Sequence, residues 1–253
     1  MESPRPSGDS RVATVTGSSE RCVVCRARST GLVCGLDARA RDRIDQDKTT
    51  HPFRRGQFIF FAGTPASALY VVHSGRVKVF RTARNGEEQV LRVLGPGEIL
   101  GYRPLFANEP YGASAEAIEP STICILPATT VYELLRDIPT LAPVLLAKLA
   151  RELRMSEELM MDLRYRPVPQ RTARLLLRLL EDNRGVPDPP LLPSHLLRRQ
   201  DMARMVGTRP ETFSRVLRAF AQRGIIALAR AHIRIRDEAR LREAAGGPLG
   251  PDT

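Results

Sequence analysis

The sequence contains no run of 18 apolar residues, which excludes a membrane-spanning helix. Its first 20 residues hold no apolar stretch of the kind a secretory signal needs, so no export signal is expected and the setting is cytoplasmic. Thiols stay reduced there, which argues against a structural disulfide for the four cysteines. No nucleophile–base set and no phosphate loop stands out, so no enzyme is expected. The glycines of "GPGEILG" are turn residues, because no helix follows at the spacing of a dinucleotide fingerprint. His51, His73, His195 and His232 show no pairing at ligand spacing and give haem no support. Lysine is nearly absent as well: Lys48, Lys78 and Lys148 are the only three among 39 basic residues.

What remains is a chain of 253 residues, 42% hydrophobic, long enough for one large domain or two smaller ones. Its net charge of +11 points to a polyanionic partner. A uniform bias toward arginine would spread that charge along the chain. Instead, Arg164 to Glu243 carries 18 Arg and no Lys against 8 acidic residues, a surplus of ten. The partner-binding part is therefore the last third.

Residues 1–20 are rich in Ser, Pro, Gly and Arg and read as disordered, as does the tail 244–253. A cysteine-rich segment with a short helix occupies 21–50. From 51 to 138, short apolar segments alternate with glycines, and Asn85-Gly86 sits between two alternating runs, a strong hairpin signal. This predicts a small antiparallel sandwich or barrel, closing with "TICILP" and a short helix before Pro139. Residues 139–166 form a long helix and hinge, broken at Pro167 and Pro169. Leu145, Leu149, Leu153, Ser156, Met160 and Leu163 recur at steps of three and four, a narrow seam of the coiled-coil type. Pairing with a second copy in a homodimer is expected; the alternative is a helix lying on its own domain. Glu152, beside the seam, would face its own copy and oppose pairing by like-charge repulsion.

In 167–243, "RQDMARMV" and "PETFSRVLRAFAQRG" flank Gly207-Thr208-Arg209, the pattern of a helix-turn-helix. Met202, Val206, Phe213, Val216, Leu217 and Phe220 pack the pair. Glu211, Ser214, Arg215 and Arg218, with Arg209 in the turn, face outward as candidate DNA contacts. A Glu accepts from cytosine, an Arg fork binds guanine, and a Ser hydroxyl serves several bases. Glu211 and Arg215, four apart, could equally form a surface ion pair. "IIALARAHIRIRD" adds a β-ribbon and makes the module winged.

The order of these parts resembles the CRP/FNR family of transcription regulators over about residues 22–240. The β-roll is matched by "RRGQFIFFAGTPASALYVVHSGRVKVFRTARNGEEQVLRVLGPGEILG", and "ETFSR" matches the recognition-helix motif of the FNR branch. The resemblance implies an α+β fold with an N-terminal cyclic-nucleotide-binding-like antiparallel β-roll, a long dimerisation helix and a C-terminal winged helix-turn-helix. It implies double-stranded DNA with palindromic TTGAT-type half-sites as partner, read by Glu211, Ser214 and Arg215, and RNA polymerase as a further partner. Where the nucleotide-binding branch sets an Arg-Ser pair for the cyclic phosphate, this chain has Gly112-Ala113 or Ala113-Ser114, so a cyclic nucleotide is not expected. A buried phosphate without a cation would be an unpaired charge. Arg103 is the one nearby candidate, and its place is wrong for the family.

Cys22, Cys25 and Cys34 give C-x2-C-x8-C, and Cys124 lies in "STICILP". Clustered cytosolic thiols bind metal or do redox work. Zinc with four thiolates, a thiol–disulfide switch, and a merely buried Cys124 all fit these residues. The family resemblance implies a 4Fe–4S cluster, because the oxygen-sensing branch uses three N-terminal cysteines and one in this part of the β-roll. The gap before Cys34 is longer than in the best-known members of that branch. Arg21, Arg26 and Arg28 favour the thiolates. Loss of the cluster in oxygen is then expected to loosen the seam and lower DNA affinity. An alternative on the same scaffold is a small effector gating the β-roll, with the cysteines holding zinc or acting as a thiol switch.

Overall fold

The computed structural model describes residues 38–181, 191–192, 197–229 and 232–247. Within them the chain runs helix, β-roll, two helices, winged helix-turn-helix. Helix α1 (Ala38–Asp47) precedes β1 (Thr49–Phe53), β2 (Phe58–Phe60), β3 (Ala68–Ser74), β4 (Val77–Thr82), β5 (Glu88–Leu94) and β6 (Ile99–Leu100). A short α2 (Tyr102–Ala107) then leads to β7 (Ser114–Ala117) and β8 (Ser121–Pro127). The eight strands form two antiparallel sheets, ordered β1-β8-β3-β6 and β2-β7-β4-β5. Alternation places Phe60, Tyr70, Val72, Val77, Leu94 and Ile123 between them as one core.

The hairpin expected at Asn85-Gly86 joins β4 to β5, Val77 pairing with Leu94 and Thr82 with Glu88. Gly86 takes φ +81, which an L side chain resists, and the Asn85 side chain accepts from the Glu87 backbone N–H at 3.1 Å. Sheet one turns its other face to a second core. There Val71, Cys124 and Leu126 meet Ala40 and Ile44 of α1, Val131 and Leu134 of α3 (Ala128–Asp137), and Leu141 and Leu145 of α4 (Leu141–Tyr165).

The α4 seam differs in part from the sequence reading. Leu145 is only 3% exposed and lies in this second core, with Leu149 packed against it. On the open side stand Leu146, Leu153, Ser156, Met160 and Leu163. Leu146, Leu153 and Met160 are seven apart, and so are Ser156 and Leu163, so the outward stripe is heptad-like with Leu146 in the place assigned to Leu145. The cause is two steps of four in succession, Leu145 to Leu149 to Leu153, which carry Leu145 about 80° around the helix from Leu153 and under the β-roll.

Helix α4 ends at Tyr165, before Pro167, and α5 (Val168–Glu181) begins with Pro169 in its first turn, where proline lacks no needed donor. The hinge is clamped by buried charge. Arg166 Nε donates to Asp162 Oδ1 at 2.7 Å, and Arg174 Nε lies 2.7 Å from Asp162 Oδ2. Arg166 also donates to the carbonyls of Ala245 (3.3 Å) and Gly247. Past the hinge come β9 (Leu191–Leu192), α6 (Arg199–Val206), α7 (Pro210–Gln222), β10 (Ile226–Leu228), β11 (Ile233–Ile235) and α8 (Glu238–Ala245). The architecture is the expected α+β one: β-roll, long helix, winged helix-turn-helix.

Candidate nucleic-acid interface and sensor core

Helix α6 is started by Asp201, whose carboxylate accepts the Arg198 backbone N–H at 3.1 Å. It stops at Gly207, which adopts φ +69 while the Gly207 and Thr208 N–H groups close back on the Arg204 and Ala203 carbonyls at 2.9 Å. Pro210 and Glu211 open α7 with the fixed φ and negative charge that suit a helix N-terminus. Met202, Val206, Phe213, Leu217 and Phe220 are buried against Leu176 and Leu179 of α5, and Val216 packs on their edge. Helix α7 is thereby fixed with one face out.

On that face Glu211, Arg215 and Arg218 are exposed and Ser214 is half-buried, with Arg209 exposed just before the helix. Arg215 is held by Thr212, whose hydroxyl accepts from its Nη2 at 3.3 Å. Among the described residues no ion pair joins Glu211 to Arg215, and both side chains are exposed. The ribbon adds residues that the sequence reading passed over. Ile233 and Ile235 point inward while Arg234 and Arg236 are exposed, as the alternation in "IRIR" would have told. Cationic heads on the wing suit phosphate contacts beside the groove.

The sensor side is built on Cys124. It sits in the middle of β8, opposite Thr50 of β1 and Val71 of β3, and is 8% exposed. Its Sγ lies 3.8 Å from Thr50 Oγ1. Helix α1, which begins four residues after Cys34, covers this face through Ala40 and Ile44. Cys22, Cys25 and Cys34 lie outside the described residues.

A cavity of about 420 Å³ opens in the β-roll, lined by Phe60, Tyr111, Tyr102, Arg81, Arg92 and Arg103 among others. The segment Gly112-Ala113 forms part of its edge. From sequence only Arg103 stood near this place. Arg81 and Arg92 reach it from β4 and β5, a neighbourhood that only strand pairing creates.

Arg92 also leads to the correction for Glu152. The Glu152 carboxylate does not stand bare beside the seam: Oε1 is 2.7 Å from Arg92 Nη1 and 3.0 Å from Lys148 Nζ. Burial alone would raise its pKa. The Tyr102 hydroxyl, the Arg92 charge and Lys148 outweigh that and hold it below the usual carboxylate range. Burial, with Glu152 next to it, pushes the Tyr102 phenol up. Two cations of its own chain offset the charge expected to repel a second copy. Among the described residues, no helix is long and apolar enough to cross a membrane.

Residues 50–137 match the cyclic nucleotide-binding domain family, and residues 170–244 match the Crp-like helix-turn-helix domain family. The Cyclic AMP receptor protein of Thermus thermophilus is 36% identical over 195 residues, which cover 77% of this chain and 87% of that protein. The Transcriptional activator protein anr of Pseudomonas aeruginosa is 29% identical over 229 residues, covering 90% and 93%. Among solved structures, FixK2 from Bradyrhizobium japonicum shares the fold with a TM-score of 0.71 at 23% identity, over 80% of this chain and 99% of that one. A β-roll, a clamped long helix and an outward-facing α7, matched over both domains, have one reading: the chain belongs to the CRP/FNR family of DNA-binding transcription regulators.

Proposed function

We propose that this regulator is of the oxygen-responsive FNR branch, that it acts in the cytoplasm as a homodimer on TTGAT-type palindromes with RNA polymerase as partner, and that it is no enzyme. Cys22, Cys25, Cys34 and Cys124 would hold a 4Fe–4S cluster, a donor set of one thiolate per iron. The observation that carries this reading is the seat of Cys124, under the helix that follows Cys34 and in the same core as the first turns of α4. When bound, a 4Fe–4S cluster would supply oxygen-labile ligation through the thiolates of Cys22, Cys25, Cys34 and Cys124. The chain's own residues do the rest. Ala40 and Ile44 press α1 onto β8, Val131 and Leu134 hold α3 there, and Leu141 and Leu145 fix the start of α4. Any change in how α1 sits on β8 therefore bears on the base of the helix that presents Leu146, Leu153 and Met160 outward. Relatives named as a transcriptional activator anr and as an Anaerobic regulatory protein support the branch.

The β-roll cavity favours a second reading, in which a small effector gates the same scaffold and the cysteines bind zinc or switch by thiol chemistry. A cyclic nucleotide is not the occupant proposed, because the phosphate-binding pair reads Gly112-Ala113 or Ala113-Ser114, with no arginine, and Arg92 is committed to Glu152. The two readings separate in one binding experiment on a TTGAT palindrome, with wild type and Cys124→Ser prepared without air. The oxygen reading expects tight wild-type binding that air weakens, and weak Cys124→Ser binding throughout. Wild-type binding indifferent to air, or Cys124→Ser binding as tight as wild type, would sink it. Wild-type binding indifferent to air, from a colourless protein that holds zinc, would favour the effector reading.

A further inference from the structure

The DNA-binding domain is held by the β-roll of its own chain as well as by the hinge. The contact is made by the β4–β5 hairpin and the rear of α6. Arg204 Nη1 donates to the Glu88 carbonyl at 2.8 Å, and its Nη2 lies 3.5 Å from Glu87 Oε1. The bond is returned by Gln89, whose Nε2 donates to the Arg204 carbonyl at 3.3 Å. Val93 of β5 packs against the hydrophobic core of the DNA-binding domain. A second contact joins the last turn of α4 to the helix-turn-helix turn. Arg171 donates to the Leu163 carbonyl (3.0 Å) and the Gly207 carbonyl (3.4 Å). A Cβ on Gly207 would stand 2.5 Å from Leu163 Cδ2, so turn and helix are in close contact.

These contacts use the side of the module away from the recognition face. Arg204 meets the hairpin, and Met205 and Val206 line a small cavity with Gln89, Val90 and Leu91, while Glu211, Arg215 and Arg218 on α7 stay exposed. The docked arrangement is thus compatible with DNA in place and cannot act by occluding α7. We infer that Arg204 and Gln89 form a latch that fixes the orientation of the helix-turn-helix on its protomer, so that the spacing between the half-sites read by two protomers is set by the β4–β5 hairpin. The inference deepens the reading of a dimer on paired half-sites and rests on it. Arg204 and Gln89 are positioning residues: neither lies on the recognition face. The same hairpin carries Arg92, which leans on Glu152 of α4, so one ribbon touches the β-roll cavity, the long helix and the DNA-binding domain.

The test uses the full chain, prepared without air, with Arg204→Ala and Gln89→Ala and a series of palindromes whose centre is lengthened or shortened by one base pair. A single half-site duplex measures recognition apart from spacing. Wild type is expected to prefer its best spacing by about tenfold or more, because a rigid pair of modules tolerates little change in separation. Both variants are expected to flatten that preference to about threefold or less, with single half-site affinity unchanged. A general weakening of the DNA-binding domain would lower half-site affinity and leave the spacing optimum sharp. Gln89→Ala lies outside that domain, so it decides the matter if Arg204→Ala does not fold. A sharp optimum retained in Gln89→Ala overturns the latch alone. A wild type indifferent to spacing overturns the paired half-site reading and the latch together.

Discussion

Two adjacent leucines on α4 separate the fold from the association of protomers. Leu145 is 3% exposed and packs with Leu141, Leu134 and Cys124, whereas Leu146, one position on, is 64% exposed on the open stripe. Truncating Leu145 to Ala removes buried methyl groups and leaves a cavity, a loss of about 3 kcal/mol of folding stability. Truncating Leu146 costs the fold almost nothing. If the stripe is the dimer seam, the lost burial is about 1 kcal/mol per protomer, hence about 2 kcal/mol per dimer and a roughly thirtyfold rise in dimer Kd. Urea unfolding with sedimentation equilibrium on both variants, kept without air, measures the two quantities side by side. The expected result is a crossed pattern: Leu145→Ala shifts the unfolding midpoint, and Leu146→Ala shifts the dimer Kd. A Leu146→Ala protein that dimerises like wild type would refute the assignment of the outward stripe as the seam.

Three further outcomes follow from named contacts. Asp162→Ala leaves Arg166 and Arg174 side by side and short of their shared counter-ion, with Arg166 only 7% exposed, so it should destabilise the chain by about 3–5 kcal/mol in a denaturant titration. Glu152 has a folded pKa below its unfolded value, so its contribution is complete above the unfolded carboxylate range and is lost as pH falls through the folded pKa; stability should drop below about pH 4, and Glu152→Gln should flatten that part of the pH profile. Arg215→Ala should cost about 1–3 kcal/mol on the preferred half-site and much less on a half-site with its guanine replaced, as read by competition binding.

The chain announced its architecture through local signals: glycines between short apolar runs, a hairpin at Asn85-Gly86, prolines at the hinge, and a Gly turn between two short helices. Each is a rule of backbone geometry, so each survived folding. The outward placement of Arg215 and Arg218 was legible for the same reason, because the packing of Phe213, Leu217 and Phe220 fixes which face of α7 stays exposed. What was not legible depends on partners distant in sequence. The alternation of threes and fours favours Leu146 over Leu145 in the outward stripe, but both leucines are apolar, and only the β-roll against Leu145 shows that it is covered. Glu152 looked like an exposed like-charge partner until Arg92, sixty positions earlier, was placed against it. Arg81 and Arg92 join Arg103 around one cavity through strand pairing. The arginines of the wing were in plain sight, yet a run of only four residues gave them little weight.

The most direct measurement is the metal and sulfide content of the protein purified without air, followed through exposure to oxygen. The account predicts a coloured protein with iron and acid-labile sulfide in near-equal amounts and little zinc, both lost in air in step with binding to a TTGAT palindrome. Substituting Cys22, Cys25, Cys34 or Cys124 should each abolish the colour. A colourless protein that holds zinc without sulfide, and binds DNA equally with and without air, would contradict it.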